Sequence, residues 1–168
     1  VHSLKDVTTD LHPSTCLAAY LTAESRTDCF VFADFKRYRC LDDIPKNSTC
    51  ATSSLRRQAI LKHLRPDIKI KPIRGNIDTR IQKCQSGYAD SIMLSTVGLL
   101  RLNRQHQIGL DCYPHHFIPA PGQGVMVIQS LTDRVKQFPF LEAINDQVQQ
   151  LSAVYERQLL EHIGFDCN

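Results

Sequence analysis

The residues of this chain best suited to chemistry are two adjacent arginines, Arg56 and Arg57, which follow the hydroxyl run Thr52-Ser53-Ser54. Serine and threonine are favoured N-cap residues, and Leu55, Ala59, Ile60 and Leu64 repeat at helical spacing, so a helix is expected to start here. A helix N-terminus carries roughly half a positive charge, which disfavours cations in its first turn. Two guanidinium groups at that place suit a strongly anionic partner. Their planar forks match carboxylates in particular. Arg74, beside Gly75, and Arg80 offer the same chemistry a short way along the chain.

Short apolar runs and helical stretches alternate around these residues. Residues 16–21, 29–33, 48–51, 68–73 and 91–94 read as strands, while 52–64, 77–85 and 96–102 read as helices. This order predicts an α/β protein with a mostly parallel, doubly wound sheet covered by helices on both faces. Ligands of such sheets bind beyond the carboxyl ends of the strands. Arg56, Arg57 and Arg74 fall at strand-to-helix turns there and can face one crevice, with Arg80 about a turn further on. Past residue 104 the pattern changes. Pro114, Pro119 and Pro121 lead to Gly122-Gln123-Gly124, then a strand at 125–128 and a helix at 147–163 with Val148, Leu151, Tyr155, Leu159 and Ile163 on one face. A domain crossing is expected near residue 122.

Composition narrows the function classes. The chain has 168 residues, 42% hydrophobic and 22% charged, with a net charge of +3. These are values of a globular protein, and the charge is too mild for a general nucleic-acid binder. No apolar run approaches the roughly 20 residues that cross a membrane, and no signal peptide opens the chain. Seven scattered cysteines include no C-x-x-C pair, so neither a disulfide framework nor a metal site is expected. Adjacent His115 and His116 lack further ligands, and Gly122-Gln123-Gly124 lacks the Lys-Ser/Thr of a phosphate loop.

Four blocks carry a resemblance: Val1-His2-Ser3-Leu4-Lys5-Asp6, Thr52 to Arg57, Ile73-Arg74-Gly75-Asn76-Ile77-Asp78-Thr79-Arg80, and Pro119-Ala120-Pro121-Gly122-Gln123-Gly124. In kind, order and spacing they resemble the signature blocks of the porphobilinogen deaminase (hydroxymethylbilane synthase) family, along the whole chain. The resemblance implies a transferase of tetrapyrrole, and hence porphyrin and heme, biosynthesis. It joins four porphobilinogen molecules head to tail, releases ammonia at each step, and gives hydroxymethylbilane. It also implies a two-lobed fold of the periplasmic-binding-protein type and a small α+β third domain. Residues 1–22 with 123–140 would be part of domain 1, residues 23–122 domain 2, and residues 141–168 the start of domain 3. The chain opens without methionine and looks like the middle half of such an enzyme, and these residues alone are expected to be inactive.

By resemblance the primer is a dipyrromethane cofactor in covalent thioether linkage to Cys167, where Phe165-Asp166 stands in place of the family's usual two glycines. Arg56, Arg57, Arg74 and Arg80 would hold the acetates and propionates of cofactor and substrate. Ser3, Lys5, Thr52, Ser53, Ser54, Gly75 and Gln123 would add contacts. Asp6 would be catalytic, stabilising the cation that develops as porphobilinogen loses ammonia. A cytoplasmic monomer with no metal, nucleic acid or membrane partner is expected. On this view Arg56→Ala or Arg57→Ala should stop primer assembly or elongation while the fold survives. The alternative is a non-catalytic two-lobed binding protein for a small carboxylate or other anion.

Overall fold

The computed structural model describes residues 1–163. In chain order the strands are β1 (His2–Ser3), β2 (Thr15–Tyr20), β3 (Asp28–Phe32), β4 (Thr49–Ala51), β5 (Lys69–Lys71), β6 (Ser91–Ser95), β7 (Leu110–Cys112) and β8 (Met126–Leu131). The α-helices are α1 (Leu55–Leu64), α2 (Ile77–Gln85), α3 (Thr96–Arg101), α4 (Phe140–Ile144) and α5 (Gln147–Ile163). The chain divides into two compact units, Val1–Arg26 with the residues from Ala120 onward, and Thr27–Pro119.

In the unit 27–119 the sheet order is β5-β4-β6-β3-β7. Strand β4 pairs parallel with β5 and β6, whereas β3 pairs antiparallel with β6 and β7. The α/β class therefore stands, in a mixed sheet whose parallel part is β5-β4-β6. Side chains alternate across this sheet as the strand period requires. Cys29, Val31, Ala51, Ile92 and Leu94 pack with Ile81 and Cys84 of α2 and Leu99 of α3. Phe30, Phe32, Cys50 and Met93 pack on the other face with Leu61 of α1. Helices thus cover both faces, and all five residues of β3 are buried.

Helix α1 turns differently from its sequence pattern. Leu55 and Ala59 are exposed, and the inward face is Arg57, Ile60, Leu61 and Leu64. Ile60 and Leu64 of the expected stripe do face inward, whereas Leu55 and Ala59 give way to Arg57 and Leu61, because an arginine with a buried partner can occupy a core position.

The other unit holds the antiparallel sheet β1-β8-β2. Leu4, Tyr20, Val125, Val127 and Ala153 form its core. Helices α4 and α5 pack on β2. The apolar face of α5 read from the sequence is exposed at Val148, Leu151, Tyr155, Leu159 and Ile163. Its inward face instead carries Ser152, Ala153, Glu156 and Arg157, held by hydrogen bonds. Among the described residues no helix is long and apolar enough to cross a membrane.

Candidate functional site: an arginine-bearing pair of helix starts

Two strand-to-helix turns lie side by side in the unit 27–119 because their strands β4 and β5 pair in register, Ala51 opposite Lys71. The pairing continues past the strands: Thr52 N–H donates to Lys71 O at 2.8 Å. The Ser53 hydroxyl donates to Ile73 O at 2.8 Å and accepts from Ile73 N–H at 2.9 Å. Ser54 caps α1 by accepting from Arg57 N–H, and Thr52 Oγ1 accepts from Ser54 N–H. The three hydroxyl residues thus shape the turn. Ser53 spends its one donor on Ile73, and Thr52 is only 2% exposed. Ser54 uses its oxygen as an acceptor, which leaves its O–H to donate elsewhere.

The second turn is built on Gly75, whose φ is +122° and whose added Cβ would meet Thr79 Cγ2 at 2.8 Å. Both features exclude a side chain there. Asn76 then caps α2, its Oδ1 accepting from the N–H and hydroxyl of Thr79 at 2.8 and 2.7 Å. Arg80 folds back so that its Nε donates to Gly75 O at 2.7 Å.

Asp28, which the sequence analysis did not single out, organises the arginines. It is fully buried at the start of β3. Its Oδ1 accepts from Nε and Nη2 of Arg57 at 3.0 and 2.7 Å, and its Oδ2 from Nη2 of Arg56 at 2.6 Å. Arg57 is only 7% exposed, and its Nη1 donates to Met93 O at 3.1 Å. Arg56 also donates to Ile118 O. The first turn of α1 has no acidic residue of its own, so the anion that its cations call for arrives from β3. An internal carboxylate thus meets part of the anionic requirement expected from the sequence. The only sequence signal was a carboxylate at the head of the apolar run Cys29 to Ala33.

Asp28 is shared between the two guanidinium groups, and Arg80 is a third cation near them. Burial and the nearby Arg57 guanidinium lower the Arg80 pKa from its ordinary value, the effect expected of a cation desolvated beside another cation. Among the described residues neither Arg80 nor the exposed Arg74 forms an ion pair. The arrangement has the chemistry of a carboxylate receptor: guanidinium groups in excess over acids at two adjacent helix starts.

The remaining site residues lie in the other unit. Ser3 ends β1, and Leu4–Asp6 form a short 3-10 turn, so Lys5 and Asp6 do not follow strict strand alternation. Asp6 is exposed, Ser3 and Lys5 are half-buried, and Leu4 anchors the turn in the core. Arg157 of α5 fixes the segment that follows, donating to the carbonyls of Val7, Thr8 and Thr9 at 3.1, 2.6 and 3.0 Å. Gln123 is buried, and its Nε2 donates to Arg26 O at 2.7 Å. Its turn is held by Glu156, which accepts from Gly122 N–H at 2.8 Å and from Arg26. Gly122 and Gly124 have φ of +69° and +85°, and a Cβ at either would strike Leu4 or Ser25 O. Arg26, Glu156 and Arg157 are supports that the sequence analysis did not name.

Of the six described cysteines, Cys29, Cys50, Cys84 and Cys112 are buried and none is bridged. Burial pushes the thiols of Cys29 and Cys50 up to about 12, that of Cys84 to about 11, and that of Cys112 up as well. These are packing residues rather than nucleophiles. Cys167 lies outside the described residues.

Residues 1–137 match the family model described as "Porphobilinogen deaminase, dipyromethane cofactor binding domain". The porphobilinogen deaminase of Nitrobacter hamburgensis is 39% identical over 99% of this chain and 52% of its own length. That of Xylella fastidiosa is 36% identical over 100% of this chain and 54% of its own, and that of Limosilactobacillus reuteri 39% over 100% and 55%. The chain thus spans about half the length of the curated relatives it matches. Among solved structures, the substrate-binding protein of an amino acid ABC transporter is 17% identical, covering 86% of this chain and 59% of that one, with a TM-score of 0.43. With a match over residues 1–137 and whole-chain identities of 36–39% to these enzymes, the chain belongs to the porphobilinogen deaminase family.

Proposed function

We propose that this chain is the central part of a hydroxymethylbilane synthase, which condenses four porphobilinogen molecules stepwise with release of ammonia. The observation that carries this reading is the excess of guanidinium over carboxylate at the starts of α1 and α2, in a chain that matches a dipyromethane cofactor binding domain. Each pyrrole unit carries an acetate and a propionate, so the growing product is a polyanion that suits this surface. The donor set therefore fits the cofactor.

Arg56, Arg57, Arg74 and Arg80 hold carboxylates of cofactor and substrate, with Ser54 as an added donor and Thr52, Ser53 and Gly75 fixing the turns. Ser3, Lys5 and Gln123 complete the contacts, and Cys167 forms the covalent thioether. When bound, dipyrromethane supplies the pyrrole terminus on which the chain grows. Asp6 keeps a carboxylate near the pyrrole nitrogens, stabilises positive charge as ammonia leaves porphobilinogen, and assists proton transfer. In the whole protein residues 141–168 open a third domain, and the enzyme acts as a cytoplasmic monomer.

Intact-mass measurement of the native-length protein tests this reading. A two-pyrrole adduct is expected on the native protein and not on Cys167→Ser. An unmodified Cys167 in the native protein, with no turnover of porphobilinogen, would overturn it.

A further inference from the structure

We propose that Asp28 is the positioning residue of the carboxylate receptor: it sets the direction of the Arg56 guanidinium as well as balancing Arg57. This deepens, and rests on, the reading of Arg56 and Arg57 as ligands of substrate and cofactor carboxylates. Three observations carry it. Asp28 is fully buried, yet each of its two oxygens serves a different arginine. Adjacent residues in a helix turn about 100° apart, so Arg56 and Arg57 would splay unless a shared partner drew them together. One carboxylate on the neighbouring strand does so, at 2.6 Å from Arg56 and 2.7 Å from Arg57.

The two arginines are left in different states. Arg57 engages Nε, Nη1 and Nη2 within the unit and is almost fully covered. The Arg56 side chain keeps 23% exposure, held from behind by Asp28 and the Ile118 carbonyl. Arg56 is then the more exposed member of the pair, and Asp28 acts through it without touching a ligand. A guanidinium fixed in advance binds a carboxylate without losing side-chain freedom at that moment.

The test separates positioning from mere charge balance. In the native-length protein, Arg57→Gln is compared with Asp28→Asn/Arg57→Gln. Arg57 no longer needs a counter-ion in either, and Asp28→Asn also releases the Arg56 charge from its acid, so a pure charge-balancing role predicts equal or tighter ligand binding. Positioning of Arg56 predicts that adding Asp28→Asn raises the porphobilinogen KM about tenfold, the effect of misdirecting one charged hydrogen bond, with kcat of the pyrrole-loaded fraction changed far less. Calorimetric binding of benzene-1,3,5-tricarboxylate gives a readout free of pyrrole chemistry, and should weaken by a similar factor. Should Arg57→Gln not fold, Asp28→Asn against wild type carries the same measurements, since Asn keeps the shape and one acceptor. An unchanged or lower KM and an unchanged or tighter tricarboxylate affinity would overturn the role of Asp28. If the wild type shows no pyrrole adduct, the enzyme reading fails by itself, and the tricarboxylate affinities still decide the role of Asp28.

Discussion

Arg57 places its guanidinium against Asp28 with Nε and Nη2 at 3.0 and 2.7 Å from the same carboxylate oxygen, and both residues are buried. Removing Arg57 leaves Asp28 paired with Arg56 but strips the buried Asp28 Oδ1 and Met93 O of their donors, a loss of about 1.5–3 kcal/mol for the charged hydrogen bonds. Arg57→Ala is therefore expected to destabilise the protein by that order, measured by urea unfolding. Arg56→Ala should cost much less, because its side chain is 23% exposed and Asp28 keeps Arg57. Arg56→Ala thus probes ligand binding with the fold intact, whereas Arg57→Ala mixes the two effects and revises the expectation that the fold survives either change equally.

Arg80 gives the cleanest separation of binding from stability. Its one side-chain hydrogen bond within the described residues runs to Gly75 O, and it has no ion pair there to lose. Arg80→Gln should leave the unfolding midpoint close to wild type. It should also weaken benzene-1,3,5-tricarboxylate binding by about 1.5–3 kcal/mol, the worth of a hydrogen bond to a charged group. Calorimetry with wild type and variant checks this, and equal affinities would remove Arg80 from the site.

Gly75→Ala tests the second helix start. At φ of +122° the new methyl group would lie 2.8 Å from Thr79 Cγ2, so the turn must shift. A cost of about 1–3 kcal/mol is expected from the backbone conformation. Because Gly75 O also receives Arg80, the same variant should lose tricarboxylate affinity, whereas Gly87→Ala should not. Gly87 has a positive φ of +86° but open space around it, which makes it the control for backbone strain alone.

The Glu156 network predicts an acid limb of stability. Burial raises the Glu156 pKa, but the hydrogen bond from Arg26, the Gly122 N–H and Ser152 outweigh it and leave the carboxyl below its ordinary 4.5. A depressed pKa contributes stability that is present above the unfolded value and is lost as pH falls through the folded one. The melting temperature should accordingly fall below about pH 4.5. The drop should be shallower in Glu156→Gln, which binds no proton there. Parallel acid limbs in the two proteins would exclude this contribution.

The cysteines predict a reactivity pattern. Cys40 is exposed, whereas Cys29, Cys50 and Cys84 are buried with raised thiol pKa values. A thiol reagent at neutral pH should label Cys40 within minutes and the buried three only on unfolding, as peptide mapping would show. Fast labelling of Cys29 or Cys50 in the native protein would contradict the packing of β3 and β4.

What the sequence by itself determined is local. The hydroxyl cap of α1, the start and end of α2 and the strand character of the apolar runs depend on neighbours within a few residues, whose preferences can be read directly. So could the order of the signature blocks that place the chain in its family. Only tertiary structure decided which way α1 faces and what its arginines meet. Asp28 lies 28 residues before Arg56 and becomes its partner because β3 and the parallel strands share one sheet. The same holds for α5, whose apolar positions are exposed while Glu156 and Arg157 turn inward toward the Gly122 turn and the carbonyls after Asp6. Periodicity reports that a helix has two unlike faces. Which face is buried depends on the partners that the rest of the chain supplies, and a charged residue with a complete set of partners can take a place that hydrophobicity would assign to leucine.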